Sequence, residues 1–256
     1  MTAARRTSEI AIGILPIALV IALWHGIAMS GIAPAVLLPP PGSVFARLIQ
    51  QFGTYEYWAH ASVTLFRLFA GFSIALVVGV TLGVAATGSK FVEGLVKPLV
   101  RVLAPLPKVA LYPAMVLILG FDDASKIALV VADAVFPILL ATYQGTSAVD
   151  TKLVWSARAA GCSQRRALFT VVLMAALPSV LTGCRIGLII SCIVVFLAEM
   201  ITSTDGLGYL LVRAGRNFET VDMFVPLISI SILGLTLNAA FNTLRTWLLR
   251  GFPEER

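Results

Sequence analysis

Two runs of 22 uncharged residues limit this chain more than any other feature. One lies between Arg67 and Lys90, the other between Asp222 and Arg245. An α-helix rises about 1.5 Å per residue, so about 20 mainly apolar residues cross the ~30 Å hydrocarbon layer of a bilayer. A third uncharged run, Ile10–Met29, has 20 residues. It follows Arg5-Arg6 as a signal peptide would, but it exceeds the usual apolar core of about 7–15 residues and reads as a retained first span. Three further apolar stretches complete the pattern. The sequence predicts an all-α polytopic membrane protein with six transmembrane helices, at about 10–29, 67–89, 102–120, 124–144, 176–198 and 223–245. Residues 1–256 form one membrane domain with a long connection over 145–177.

Charge supports this reading. Apolar residues make up 59% of the chain and charged residues 12%. A soluble domain carries roughly 25% charged residues. The scarcity excludes a soluble enzyme, and the net charge of +6 does not signal nucleic acid. With both termini in the cytoplasm, 12 Lys and Arg residues fall in inside segments and 4 in outside segments. That asymmetry is the one that sets topology in membranes. Cys162, Cys184 and Cys192 form no CxxC pair, and His25 and His60 stand far apart, so no metal site is expected.

Small residues mark helix faces. Ala75, Gly79 and Gly83 share one face of the second span, and Gly183 and Gly187 share one in the fifth. Both faces allow close helix approach, more simply within one subunit than between two. On the outside, Pro39-Pro40-Pro41-Gly42 precedes a short amphipathic helix for which Ser43 is a plausible N-cap. Tyr55, Tyr57 and Trp58 then suit the headgroup level. This helix is expected to lie on the membrane surface.

The connection 145–177 is the longest inside segment and holds Lys152, Arg158, Arg165 and Arg166. Lys152–Ala160 reads as a short helix, Gly161 as its left-handed stop and Ser163 as the cap of the next helix. Pro178 marks the start or a kink of the fifth span. A rigid bent element at the cytoplasmic face suits docking to a soluble partner. Three ionisable residues lie in or near spans and are candidates for a pathway or gate: Asp133, Arg185 and Glu199. Arg185 could instead snorkel to the interface, Asp133 could pair internally, and Glu199 could be interfacial.

The stretch WSARAAGCSQRRALFTVVLMAALPSVLTGCRIG resembles the EAA loop of bacterial ABC importer permeases, E-A-A-x3-G-x9-I-x-L-P. Ala157, Gly161 and Leu173 match that pattern, while Trp155 stands at the glutamate and Met174 at the proline. LLPPPGSVFARL, ASVTLFRLFAGFSIALVVGVTLGV, PLPKVALYPAMVLILGFDDASKIALVV and LAEMITSTDGLGYLL resemble other segments of the nitrate/sulfonate/taurine-type permease family, in the same order. The resemblance implies a type I ABC importer permease in the bacterial inner membrane. It implies a homodimer, two cytoplasmic ATPase subunits and an extracytoplasmic solute-binding protein. The substrate class it implies is a small, often anionic solute such as nitrate, a sulfonate or taurine. ATP is then bound by the partner subunits, with no cofactor or catalytic residue in this chain; no Gly-Lys pair of a phosphate loop occurs. The implied ATPase-coupling residues are Trp155, Ser156, Ala157, Arg158, Ala160, Gly161, Ser163, Arg165 and Arg166. The arginines equally suit a plain topology signal. A secondary transporter would show inverted repeats, which are not evident here. A membrane-embedded enzyme would need clustered His, Asp or Cys. A channel-like subunit would not need the helix–Gly–helix loop.

Overall fold

A computed structural model describes residues 3–32, 34 and 36–252, with side chains described from Leu15 onward. Among the described residues all regular structure is helical. The helices are α1 (Ala3–Met29), α2 (Pro41–Phe52), α3 (Tyr55–Gly88), α4 (Lys90–Leu103), α5 (Tyr112–Leu119) and α6 (Asp123–Ser147). They continue as α7 (Thr151–Ala159), α8 (Gln164–Ala167), α9 (Leu173–Ala175), α10 (Leu177–Thr202), α11 (Leu207–Arg216) and α12 (Thr220–Leu248).

Among the described residues α3, α6, α10 and α12 are each long and apolar enough to cross a bilayer. The predicted run 10–29 lies within α1, whose described apolar stretch is Leu15–Met29. The predicted span 102–120 is not one helix. α4 ends at Leu103, a 3-10 turn follows at Lys108–Leu111, and α5 begins at Tyr112. The two halves, Lys90–Leu103 and Lys108–Leu119, meet at 86°. Pro105 and Pro107 remove the amide donors a continuous helix would need there.

α3 differs from its prediction at the other end. It begins at Tyr55, capped by Thr54, whose hydroxyl accepts the Tyr57 N–H. Its 34 residues are about 51 Å long, so Arg67 sits inside the helix rather than at a span flank. The cap of α2 is Pro40, with Pro41 in the first turn; Ser43 lies within the helix and its hydroxyl donates back to the Pro40 carbonyl at 2.8 Å. Proline outcompetes serine here because its fixed φ already matches the first helical turn. One flank of α2, Val44 and Leu48, is buried, and Leu48 packs beside Tyr57, Phe196 and Val225, while Ile49 stays exposed. The helix is thus part of the protein core as well as its surface.

α6 is the centre of the bundle, held between α3 and α10. The small faces read from the sequence make both seams. A Cβ on Gly79 would lie 2.9 Å from Ile138, and one on Gly83 2.7 Å from Thr142. On the adjoining face, a Cβ on Gly183 would lie 2.5 Å from Ala141. These contacts are within one chain, as the simpler reading expects. Gly79→Leu is expected to force α3 off α6, with an overpacking cost of about 1–3 kcal/mol or more. Thermal unfolding in detergent checks it against Gly94→Leu, a site with no atom within 4 Å of the added Cβ, which should melt like the wild type.

Candidate functional site

Two assemblies stand at opposite ends of α6. At the end where α6 finishes, Asp150 caps α7 by accepting the Lys152 N–H at 2.9 Å. α7 buries none of its residues fully. Trp155 and Leu153 are exposed, while Val154 and Ala157 are half-buried. Gly161 then adopts φ +86°, where an L side chain is strained. The Cys162 N–H returns to the Ala157 carbonyl at 3.0 Å and the Gly161 N–H to the Arg158 carbonyl at 2.9 Å. This pair of bonds closes the helix end and fixes the corner. The Ser163 hydroxyl accepts the Arg166 N–H and caps α8 as the sequence suggests. A π-helical segment, Leu168–Val172, carries the chain to α9 and α10. Pro178 lies in the first turn of α10, so it marks a helix start and not a kink.

Ser156, Arg158, Ala160, Gly161, Ser163, Arg165 and Arg166 are all exposed. The element thus brings the predicted coupling residues together on a bent, hydrogen-bonded scaffold. Behind it lies a cavity of about 630 Å³ bounded by Thr87, Thr146, Val154, Arg165 and Leu168.

The other assembly, where α6 begins and α10 ends, is organised by Arg67 of α3, which composition and spacing did not single out. Its side chain is 3% exposed. Its Nε donates to Asp123 at 2.6 Å and its Nη1 to Glu199 at 2.9 Å. Nη2 pairs with Asp205, and Nη1 also reaches the Ser203 hydroxyl at 3.2 Å. Glu199 is fully enclosed, its side chain 0% exposed. Protein groups surround its carboxylate on every side. Its Oε2 accepts the Thr64 hydroxyl at 2.9 Å and the Gly208 N–H at 3.0 Å. The Thr64 hydroxyl in turn accepts the Leu207 N–H at 2.9 Å, and His60 Nδ1 accepts the Gly206 N–H at 3.0 Å. The free amides at the start of α11 thus end on a carboxylate, a hydroxyl and an imidazole, where the helix dipole favours negative charge.

Close approach explains the glycines of this turn. A Cβ on Gly208 would lie 2.4 Å from the Phe196 carbonyl oxygen, and one on Gly206 2.3 Å from the Glu199 carboxyl. Burial pushes the Asp205 carboxyl up, but the Arg67 guanidinium outweighs burial and holds it below the usual carboxylate value. Outer helices are tied in beside the cluster. Arg47 Nε meets Asp222 at 2.7 Å, and Arg213 Nη1 meets Glu56 at 2.8 Å.

The remaining candidates lie apart. Asp133 is half-buried midway along α6, and Lys108 Nζ stands 3.4 Å from it. Arg185 Nε donates to Asn238 at 2.7 Å and joins α10 to α12. The structure does not bring Asp133, Arg185 and Glu199 into one site. Among the described residues no cluster of His, Cys, Asp and Glu has the makings of a metal site.

Apolar spans, an ionic cluster around a buried arginine at one end and an exposed, hydrogen-bonded helical corner at the other define the class: a multi-pass membrane protein. Comparison with known proteins narrows this. Residues 75–252 match the family described as "Binding-protein-dependent transport system inner membrane component". The chain belongs to that family and is an ABC importer permease. It is 30% identical over 238 residues to the putative aliphatic sulfonates transport permease protein SsuC of Bacillus subtilis (strain 168), covering 93% of this chain and 86% of that one. It is 28% identical over 242 residues to the taurine transport system permease protein TauC of Escherichia coli (strain K12), covering 93% and 88%. In fold it is similar to a chain of the inward-facing MetNI methionine ABC transporter, with TM-score 0.60 and 22% identity over 75% of this chain and 93% of that one.

Proposed function

We propose that the chain is the membrane pathway subunit of an ATP-driven importer for a small anionic solute of the sulfonate or taurine kind. The solute arrives on an extracytoplasmic binding protein, and the chain works as a homodimer with two cytoplasmic ATPase subunits. In this reading it has six spans, with α1 and the bent α4–α5 element completing the four long helices, and both termini in the cytoplasm of a bacterial cell. The arginines of the α7–α8 corner then lie inside and the Arg67 cluster lies outside.

The observation that carries the proposal is the exposed α7–Gly161–α8 corner. A soluble partner that changes shape on binding ATP can move the spans only through a surface both exposed and stiff. α7 is exposed on most of its surface, and its end is locked by two backbone bonds. Trp155 supplies a large apolar side chain, 67% exposed, where the resembling loop carries a glutamate. It therefore favours an apolar pocket on the ATPase rather than a cationic one. Substrate class rests on the sulfonate and taurine relatives. The test is co-expression of the tagged chain with an ABC-importer ATPase subunit from the same genome, followed by purification and uptake assays in proteoliposomes with a binding protein. Co-purification and ATP-dependent sulfonate uptake are expected. A chain that assembles with no ATPase, or that moves solute without ATP, overturns the proposal. Trp155→Glu is expected to weaken co-purification at least several-fold by placing a charge in an apolar contact.

A further inference from the structure

The bundle contains a second ionic group that the Arg67 cluster does not use. Asp133 lies ten residues from the start of α6 and fourteen from its end, at roughly 15 Å and 21 Å along the axis. Lys108 opens the 3-10 turn just past the proline break in the α4–α5 element. Its ammonium donates to the Ala104 carbonyl at 2.9 Å, near the open end of α4, and sits 4.5 Å from the Phe136 ring centroid. Its contact with Asp133 is loose, at 3.4 Å.

The contrast with Arg67 is informative. Glu199 is sealed and accepts bonds at 2.9–3.0 Å from three groups. The Asp133 side chain keeps 18% of its surface open at mid-helix beside a Lys108 that is itself buried, whereas the open partners of Arg67, Asp123 and Asp205, lie at a helix start and in a turn. An ionic pair that serves packing alone gains from being tight and closed, because half-made pairs in low dielectric are costly. Ionisable groups at this depth that stay open face a polar path or a solute. Discontinuous helices at mid-depth are also where transported ions meet protein dipoles and charges.

We propose that Lys108 and Asp133 form a solute contact at the break in the α4–α5 element. The Lys108 ammonium meets the anionic head of the passing solute, and Asp133 meets its cationic amine where it has one. Asp133 also competes with the solute for Lys108, which keeps the contact weak enough for release. The proposal rests on the anionic-solute reading above and adds where selection occurs within the membrane.

The experiment uses the full complex, with ATPase and binding protein, in proteoliposomes. Its probes are labelled taurine, a zwitterion, and labelled ethanesulfonate, a plain anion. Lys108→Ala is expected to lower uptake of both at least tenfold per complex inserted in the membrane. Lys108→Arg is expected to keep a substantial part of it. Asp133→Asn is expected to lower taurine uptake several-fold more than ethanesulfonate uptake. Lys108→Ala/Asp133→Ala removes both charges, so no unpaired ion burdens insertion; it is expected to reach the membrane at wild-type level and remain deficient in uptake. Full uptake by the double variant makes the pair a packing device and overturns the proposal. So does wild-type uptake by Lys108→Ala. A wild-type complex that hydrolyses ATP yet moves neither probe overturns the anionic-solute reading itself, and the solute contact with it.

Discussion

Arg67→Ala is expected to lower the melting temperature in detergent by about 10 °C or more and to deplete the protein from the membrane fraction. The mutation leaves Glu199 enclosed beside two neutral donors, Thr64 and the Gly208 amide, with its cationic partner gone. Stranding one member of a buried pair costs about 3–5 kcal/mol. That is a large share of a typical ~5–15 kcal/mol of stability. Asp123 and Asp205 are 47% and 45% exposed and lose less, because water reaches them. Arg67→Ala/Glu199→Gln is therefore expected to recover much of the loss, since no buried charge remains unpaired. Unchanged melting in the single variant would mean that the cluster is not ionic.

Gly161→Val is expected to cut ATP-driven uptake at least fivefold with membrane insertion unchanged. No atom lies within 4 Å of a Cβ built there, so space is not the constraint. The backbone is: φ +86° costs a non-glycine residue about 1–3 kcal/mol. At about 1.4 kcal/mol per tenfold, the corner would hold its angle in roughly 5–150-fold fewer molecules. The spans are untouched, so insertion and melting should follow the wild type. Gly161→Asn, which tolerates this region better, is expected to keep more uptake than Gly161→Val. Equal uptake by Gly161→Val and wild type, per inserted molecule, removes the corner from the coupling path.

What the sequence discloses and what it hides follow the range of the interactions. The runs beyond Arg67 and Asp222 identify α3 and α12 because hydrophobic length is a local property. The Gly161 stop and Ser163 cap are legible for the same reason: both act within five residues. The Gly79 and Gly183 faces are legible as seams but not as seats on one helix, because nothing local names the partner. Arg67 stays hidden. The uncharged run begins just after it, so it reads as a flank, while its acidic partners lie 56, 132 and 138 positions away. Its one local clue is the length of α3, set by the Thr54 cap well before the apolar run. The break at Pro105 and Pro107 is visible as proline density, but the 86° turn depends on how Lys108–Leu119 packs against α6.

The glycine seams also have a mechanical consequence. At these glycines the backbone of α3 or α10 lies directly on side chains of α6, with no side chain of its own between. Thr146 and Ser147, at one end of α6, lie beside Thr87 and four residues or so before α7, while Asp123, at the other, holds Arg67. α6 is therefore a strut about 37 Å long between the corner and the ionic cluster. A displacement imposed at one end passes along close contacts at each glycine on its way to the other.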